Sequence, residues 1–483
     1  MTPEHFDWPY DLIVVGGGPA GMAAAAEAKK AGLERVLIAE RGEYLGGVLP
    51  QCIHDGFGLT EFQVSMSGPE YAEILEKTVE DAGVQVLTDT TVIRMSGDGP
   101  YTLSLTGLWT GLLEIGAKSI VFATGCRERS FGALRIPGSR PAGIYTAGTA
   151  QYMINRQNYL PGKSVVILGS GDVGLIMARR LTLEGAKVKM ILGEQASGLL
   201  RNYIQCVQDF DIPIRFGYTI LRTHGYKRLT GVTIAPLDKN GKPDESGASY
   251  VPCDTLLIAA GLIPEAELWR ACGFSLGKMG GLPVDGYART PKDGIFACGN
   301  VTRIFDTVDE VTENGKQAGY NAAQWVLEGA GGSPEFKENE TAHLMSLGRK
   351  ITGEDIRVLF GAQDGGNDKT VYCIKCPLGC KVEISGKGGE VSLSGAGCEI
   401  GETYAREEYQ SPVRVVTSTV KVKGGAQALL PVKTNRPVPK GTIRDVMALC
   451  RRIHVEPPVK MGDLLAKGPA DAEWGIIAAA SSY

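Results

Sequence analysis

A glycine motif of the form G-x-G-x-x-G occurs twice in this 483-residue chain. The first copy, Val14 to Gly21, reads VVGGGPAG, and the second, Ile167 to Gly174, reads ILGSGDVG. Each follows an apolar strand-like run and precedes an alanine- or leucine-rich helical segment. Such glycines let the backbone turn tightly and approach a pyrophosphate, which binds at the amide-rich N-terminus of the helix. One copy alone could be a glycine-rich turn of another α/β protein, but two copies in this context indicate two dinucleotide sites. The predicted contacts are Gly16, Gly18 and Gly21 in the first site and Gly169, Gly171 and Gly174 in the second.

The second strand of each unit ends at an acidic residue. The first unit reads as strand 11–15, helix 19–31 and strand 35–39, and the second as strand 164–168, helix 172–184 and strand 187–192. An acidic residue about 20 positions after the glycines usually binds ribose hydroxyls. Glu40 is therefore the expected adenosine-ribose ligand, with a solvated strand end as the alternative. Glu194 is expected to bind the ribose of NAD, and since no Arg or Lys follows closely, NADH is favoured over NADPH.

Composition and charge narrow the class of protein. The length suits about three domains, and 43% hydrophobic and 22% charged residues are ordinary for a soluble globular protein. The formal net charge is −4 without a long basic run, so no nucleic acid is expected as a partner. No apolar run is long enough for a transmembrane segment. The acidic N-terminus leads directly into strand DLIVV, so we expect no signal peptide and a cytoplasmic protein.

The order of further motifs resembles a known family. GGGPAG, ATG at Ala123 to Gly125, GSGDVG, AAGLIP and IFACGN resemble the two-dinucleotide-binding-domain flavoproteins, which include disulphide reductases and NADH oxidases. The resemblance implies FAD at the first motif, NAD(H) at the second, and flavin contacts from Gly47, Gly125, Gly299 and Asn300. It also implies an α/β fold: two Rossmann-like three-layer dinucleotide-binding domains, plus a small C-terminal cysteine-cluster α+β domain.

The implied domains follow the chain in a fixed order. Residues 1–148 and 265–335 would form the FAD-binding domain, residues 149–264 the NAD(H)-binding domain, 336–365 a linker and 366–483 a four-cysteine domain. RERSFGALRIPGSRPAGIYTAGTAQ resembles the NAD/FAD subunits that accompany glycerol-3-phosphate dehydrogenase-like proteins and amine- or amino-acid-oxidising dehydrogenase complexes. CIKCPLGC, GAGCEIGETYAREE and LPVKTNRPVPKGTIRDVM resemble a small domain of unknown function. The fusion suggests that the two parts work together.

The family's redox cysteines have no counterpart here. Its disulphide reductases carry two cysteines, separated by four residues, just after a Gly-Gly pair, and the corresponding positions here are Leu49 and His54. Cys52 is the one nearby cysteine, and a lone cysteine cannot form the internal dithiol that such exchange requires. Cys52 is either a peroxide-type redox centre or a buried packing residue. His54 either hydrogen-bonds or protonates the reduced flavin, or is a structural histidine paired with Asp55.

Four of the eleven cysteines form a cluster in the sequence. Cys373, Cys376 and Cys380 are spaced C-x2-C-x3-C, and Cys398 follows after seventeen residues. Four thiolates from a tight loop and one distant segment can hold a [4Fe–4S] cluster or a tetrahedral zinc. Zinc sites more often use paired C-x2-C motifs, whereas three closely spaced cysteines plus a remote one resemble the cluster loop of molybdopterin oxidoreductases. This resemblance favours iron–sulphur; zinc and unligated cysteines remain alternatives. The other single cysteines are interpreted as packing residues.

These features predict an FAD-dependent NAD(H) oxidoreductase that serves as the electron-transfer subunit of a dehydrogenase complex. By resemblance, the partner is a glycerol-3-phosphate dehydrogenase-like protein acting on that or a related hydroxy or amino substrate, in a homo- or hetero-oligomer. A flavin converts hydride transfer into single-electron steps that a cluster could relay. The alternative is a stand-alone NADH oxidase or NADH:acceptor reductase with a zinc-stabilised C-terminal docking module.

Overall fold

The computed structural model describes residues 9–193, 201–329, 336–338, 369–374, 380–387 and 390–483. Two predicted site residues, Glu194 and Cys376, lie outside the described residues, as does most of the predicted linker. The chain divides into two compact units, one formed by residues 1–127 and 262–344 and the other by residues 128–261 and 345–483. The domain boundaries given above stay predictions.

The described helices are α1 (Pro19–Lys30), α2 (Gly68–Asp81), α3 (Ala147–Asn155), α4 (Asp172–Leu183), α5 (Arg201–Gln208), α6 (Glu267–Ala271), α7 (Val308–Glu328), α8 (Glu399–Gln410) and α9 (Ile443–Cys450). The described strands are β1 (Tyr10–Val15), β2 (Val36–Ala39), β3 (Asp55–Phe57), β4 (Met66–Ser67), β5 (Gln85–Leu87), β6 (Thr90–Ser96), β7 (Tyr101–Gly107), β8 (Gly111–Phe122), β9 (Cys126–Glu128), β10 (Ile144–Thr146), β11 (Ser164–Leu168), β12 (Lys187–Gly193), β13 (Ile214–Phe216), β14 (Tyr218–Gly225), β15 (Leu229–Pro236), β16 (Ser249–Pro252), β17 (Thr255–Ile258), β18 (Leu262–Pro264), β19 (Ile295–Ala297), β20 (Lys369–Tyr372), β21 (Lys381–Lys387), β22 (Glu390–Ser394), β23 (Val413–Arg414), β24 (Thr417–Val422), β25 (Leu429–Thr434), β26 (Val438–Pro439), β27 (His454–Val455), β28 (Leu464–Lys467) and β29 (Gly475–Ala478).

The first unit is built on a sheet in the order β5-β2-β1-β8-β7-β6, with β19 also paired to β8. Strands β5, β2, β1, β8 and β19 are parallel, whereas β6, β7 and the first half of β8 form an antiparallel meander. Strands β1 and β2 are apolar along nearly their whole length, as expected for parallel strands covered on both faces. Helices α1 and α7 pack on this sheet in a common core.

Helix α7 lies unusually close to α1 because two glycines face it. A Cβ on Gly315 would lie 2.3 Å from the carbonyl oxygen of Ala20, and one on Gly319 would lie 2.0 Å from that of Ala24. Both distances are far below any real Cβ contact, so the backbones approach to a separation that only glycine permits. This packing fixes α7 against the helix that follows the first glycine motif.

The second unit contains a parallel sheet in the order β10-β17-β11-β12-β13 and an antiparallel sheet β14-β15-β16. Its described residues from 369 onwards include a three-stranded sheet, β20-β21-β22, and a five-stranded sheet, β27-β24-β25-β29-β28. The core of the five-stranded sheet includes Leu183 at the end of α4, with Phe210 packed against it. The C-terminal region is therefore β-rich and shares a hydrophobic core with the second dinucleotide-binding segment.

A buried ion-pair network joins the same two parts of the second unit. The Arg414 guanidinium donates to both carboxylate oxygens of Asp209, at 2.7 and 2.9 Å, and to both oxygens of Glu408, at 2.7 Å each. Lys440 adds a second cation 3.2 Å from Asp209. Burial alone would raise the pKa of the Asp209 carboxyl, but Arg414 and Lys440 outweigh it and hold that pKa below its ordinary value. Bidentate pairs of this kind fix orientation as well as distance.

The expected α/β fold is confirmed, and the helices and strands of both glycine units begin and end within about two residues of the sequence prediction. The apolar runs 119–125 and 254–264 each predict a single strand that closes its glycine unit, and both predictions were wrong in extent. The segment 254–264 forms two strands, β17 and β18, because the chain turns at Gly261, whose φ is +92°. The strand expected at 119–125 begins at Gly111, since its first half pairs with β7 as a hairpin. Among the described helices, none combines the length and hydrophobicity that a bilayer crossing requires.

The close contact between α1 and α7 predicts that adding one methyl group to α7 destabilises the protein. Gly319→Ala places a methyl group against the Ala24 carbonyl, so we expect a loss of about 1–3 kcal/mol in unfolding free energy from overpacking. Tyr320→Ala is the matched control, because Tyr320 is the next residue of α7 and is 49% exposed. Thermal unfolding midpoints measure both variants; equal midpoints would contradict the close packing.

Candidate functional site

The first glycine loop joins β1 to α1 and has two positions where only glycine fits. Gly16 has a φ of +109°, and its Cβ would lie 2.5 Å from the carbonyl oxygen of Ala123. A Cβ on Gly21 would lie 1.9 Å from the carbonyl oxygen of Gly16. The loop is thus pressed against the end of β8 and against the first turn of α1.

Gly18 differs from its neighbours because a side chain there would meet open space. Its φ is −74°, which any residue adopts, and the atom nearest to an added Cβ would be the Cα of Gly47, 4.0 Å away. Gly18 is the N-cap of α1 and provides no side-chain cap, whereas Thr146 and Thr307 cap α3 and α7 through their hydroxyls. The first turn of α1 therefore presents backbone amides and a positive helix end to an open space, which fits the pyrophosphate of FAD.

Glu40 lies at the end of β2, where the first ribose ligand was expected. One carboxylate oxygen accepts from the backbone amide of Gly17 at 2.6 Å, and the other accepts from that of Gly42 at 2.7 Å. These bonds fix the carboxylate beside the glycine loop. Each oxygen can accept a further hydrogen bond, so this geometry is compatible with ribose binding, which stays a prediction.

The segment after β19 contains two predicted flavin contacts, Gly299 and Asn300, and lies against α1 and α7. Gly299 has a φ of +69°, and its amide donates to the Asn314 side chain on α7 at 2.7 Å. The side-chain oxygen of Asn300 accepts from the Phe305 amide at 3.0 Å, and its side-chain nitrogen is 3.5 Å from the Cys126 sulphur. These contacts fix the orientation of the half-buried Asn300 side chain. Asn314 was missed by the sequence analysis, where its low helix propensity inside a 21-residue helix was the available signal.

The segment between β2 and β3 contains Gly47, Cys52 and His54. Gly47 has a φ of +59° and lies beside Gly18 at the start of α1. Burial raises the pKa of the Cys52 thiol to about 12, so the thiolate needed for nucleophilic redox chemistry is not formed near neutral pH. This favours the packing interpretation of Cys52. The His54 ring lies 4.9 Å from that of Phe57.

The second glycine loop, between β11 and α4, repeats the geometry of the first within its own unit. Gly169 has a φ of +117°, and its Cβ would lie 2.1 Å from the carbonyl oxygen of Ala259. A Cβ on Gly174 would lie 2.3 Å from the Gly169 carbonyl oxygen, whereas one on Gly171 would meet nothing within 4 Å. Gly171 is the N-cap of α4, again without a side-chain cap. This loop fits the pyrophosphate of a nicotinamide dinucleotide.

Three of the four clustered cysteines lie around the N-terminus of α8. Cys398 is the N-cap of α8, and a Cβ on Gly401 would lie 3.9 Å from its sulphur and 3.8 Å from that of Cys373. A Cβ on Gly397 would lie 3.0 Å from the sulphur of Cys380. The Cys373 amide donates to the Cys380 carbonyl at 2.9 Å and closes the loop between them. Among the described residues, which exclude Cys376, no group of three or more side chains has metal-site geometry.

Comparison with known proteins decides the family. Residues 10–322 match the model of the pyridine nucleotide-disulphide oxidoreductases. The chain belongs to this family. It is therefore a flavin-dependent pyridine nucleotide oxidoreductase. Residues 399–480 match a second model, described as a protein of unknown function (DUF1667).

Individual relatives cover only part of the chain. Hydrogen cyanide synthase subunit HcnB of Pseudomonas aeruginosa is 30% identical over 299 residues, which are 57% of this chain and 61% of that protein. An opine oxidase subunit of Rhizobium meliloti is 25% identical over 330 residues, 61% of this chain and 59% of that protein. The chain thus spans about three fifths of these relatives. Thioredoxin reductase of T. acidophilum shares the fold, with a TM-score of 0.55 and 22% identity over 66% of this chain and all of that one.

Because a side chain at Gly18 would meet open space, we expect its substitution to remove the flavin without unfolding the protein. A Cβ at Gly18 has no protein atom closer than 4.0 Å, and the valine side chain of Gly18→Val would fill space beside the first turn of α1, so the variant should fold and purify without FAD. Absorbance of the purified protein between about 350 and 500 nm measures bound flavin. Gly286→Val is the control, because Gly286 is exposed and a Cβ there meets nothing within 4 Å. Full flavin content in Gly18→Val would contradict the assignment.

The same reasoning at the second loop predicts loss of nicotinamide binding alone. Gly171→Val should retain FAD but raise the Kd for NADH at least tenfold, a change of about 1.4 kcal/mol, because a side chain would displace the pyrophosphate. Stopped-flow reduction of the bound flavin at increasing NADH concentrations gives the Kd. The Gly441→Val variant controls for a new valine at an exposed position of the same unit. An unchanged Kd would make the second glycine motif structural.

Proposed function

We propose that this chain is an electron-transfer subunit that exchanges hydride with NAD(H) and passes electrons to or from a partner dehydrogenase. The observation that carries this proposal is the Gly46–His54 loop, which holds no cysteine pair. Leu49 is 3% exposed at one family position, and the nearby Cys52 thiol is kept protonated by burial. The dithiol that would make the chain a disulphide reductase is therefore absent, so the electrons need another acceptor or donor.

The named relatives support a partner protein. Two of them, HcnB of hydrogen cyanide synthase and the opine oxidase relative, are subunits by name. We propose by analogy that a partner of this chain oxidises glycerol 3-phosphate or a related hydroxy or amino compound. That oxidation releases two electrons, which balance the hydride exchanged with NAD(H).

The residues of this chain bind and orient the two dinucleotides. Gly16 and Gly21 keep the first loop close to β8, Gly18 leaves room for the pyrophosphate of FAD, and Glu40 is held where it can accept from ribose hydroxyls. The hydrogen bond to Asn314 positions the Gly299 amide and the turn that contains Asn300. Bound flavin supplies the exchange between two-electron hydride transfer and one-electron transfer.

We further propose that Cys373, Cys376, Cys380 and Cys398 hold a [4Fe–4S] cluster. The sulphurs of Cys373 and Cys398 both lie within 4 Å of a Cβ added to Gly401, and a Cβ added to Gly397 would be closer still to the sulphur of Cys380. A larger residue at either glycine would occupy the space between the thiolates, and the positive N-terminus of α8 favours a negatively charged group there. Such a cluster supplies one-electron transfer within the unit that binds NAD(H).

Metal content tests this proposal independently of activity. Protein purified without oxygen should contain about four irons and four acid-labile sulphides per chain, with broad absorption near 400 nm. Cys398→Ser should lose most of this iron and sulphide, yet keep FAD and its reduction by NADH, because those sites lie on other elements. Cys272→Ser is the control, since the Cys272 thiol contacts the Met95 carbonyl in the first unit.

Two results would overturn parts of the proposal. Stoichiometric zinc without acid-labile sulphide, in protein never exposed to oxygen, would replace the cluster by a structural zinc site. Rapid NADH turnover with oxygen by the purified chain alone would instead favour a stand-alone NADH oxidase, with the C-terminal region as a docking module.

A further inference from the structure

A cavity of about 360 Å³ lies within the second unit, and among the described residues neither the second glycine loop nor Cys373, Cys380 or Cys398 lines it. One wall is formed by α4 and the segment from the end of α3 to Leu160, and the other by β24, the start of β25 and the end of α9. The cavity therefore lies at the junction of the dinucleotide-binding segment and the C-terminal five-stranded sheet. Its volume is at the lower end of the range for small-molecule sites, about 300–1,000 Å³.

A buried arginine lines this cavity and bridges its two walls. Arg180 on α4 is 5% exposed, and its Nε donates to Asn155 at 2.7 Å while Nη1 contacts Glu184 at 2.6 Å. Towards the C-terminal sheet, Nη1 is 3.4 Å from the Ser418 hydroxyl and Nη2 is 3.3 Å from that of Thr419. A guanidinium has five N–H groups. In the part of the chain that the structure describes, these contacts leave the second N–H of Nη2 available to a ligand.

The lining of the cavity carries an excess of positive charge. Its charged residues are Arg180, Glu184, Lys421 and Arg451. Glu184 compensates Arg180, with which it forms an ion pair. Arg451 donates to the Leu183 carbonyl at 2.8 Å, a neutral acceptor, and Lys421 is exposed without an ion pair to any described residue. Two positive charges thus remain uncompensated around a concave site, which attracts anions.

We propose that this cavity binds a small oxyanion, bearing a phosphate or carboxylate group, at the junction of the dinucleotide-binding segment and the C-terminal sheet. Lys421 and Arg451 supply the charge, and the spare N–H of Arg180 supplies a directed, charge-assisted hydrogen bond. The hydroxyls of Ser418 and Thr419 offer further polar contacts. Because the ligand would touch both walls, its binding would also stabilise their association.

Calorimetric titration of the full-length protein tests the proposal, with inorganic phosphate and succinate as separate probes. The protein is loaded with FAD and saturated with NAD+, so that both pyrophosphate sites are occupied, and potassium chloride keeps the ionic strength constant. At least one probe should bind saturably, and the one that binds should raise the thermal unfolding midpoint. Binding of phosphate alone would indicate a phosphorylated ligand, and binding of succinate alone a carboxylate.

Charge-reversal variants locate the site. Lys421→Glu should weaken binding of the active probe at least tenfold, because it converts an uncompensated positive charge into a negative one. Lys423→Glu is the matched control, since Lys423 is exposed two residues further on and does not line the cavity; its affinity should stay within about twofold. Both variants should keep flavin reduction by NADH. Absence of saturable binding by either probe, or equal affinity in wild type and Lys421→Glu, would overturn the proposal.

Discussion

Both dinucleotide-binding loops depend on one steric constraint, the close approach of a glycine to the end of a parallel strand. Gly16 is pressed against the carbonyl of Ala123, and Gly169 against that of Ala259. Each glycine has a positive φ, and the small alanines leave room for the turn. The constraint places the N-terminus of the following helix at the carboxyl end of the sheet. A pyrophosphate bound at either loop would meet the backbone amides of that helix N-terminus.

Each motif therefore contains two kinds of glycine, and we expect their substitution to have different effects. Gly16, Gly21 and Gly169 are surrounded by protein, so a side chain there disturbs the fold. Gly18 and Gly171 face open space, so we expect a side chain there to exclude the ligand and to leave the fold intact. This difference separates structural from binding roles within one sequence motif.

The sequence predicted these loops well because the physical requirement is local. A glycine with a positive φ, an apolar strand and a helix start are all within a short segment, which pattern reasoning can follow. It missed Asn314 and the Arg180 network, because each depends on contacts with residues distant in the chain. Arg180 reaches Thr419 across 239 positions, and nothing in the local sequence around either residue indicates the other. The β8 hairpin was missed for a similar reason, since it depends on pairing with β7.

Within the second unit, buried ion pairs join the C-terminal region to the dinucleotide-binding segment. A buried charge is stable only while its partner is present. Removing Arg414 would deprive the buried carboxylates of Asp209 and Glu408 of the guanidinium that they share, which costs several kcal/mol. Hydrophobic contacts alone would tolerate small shifts of one segment over the other, whereas bidentate ion pairs with fixed geometry do not. The described residues thus support a C-terminal region that is an integral part of the second unit. Ligands of its cysteines and anions in its cavity would accordingly act on the same unit that carries the nicotinamide loop.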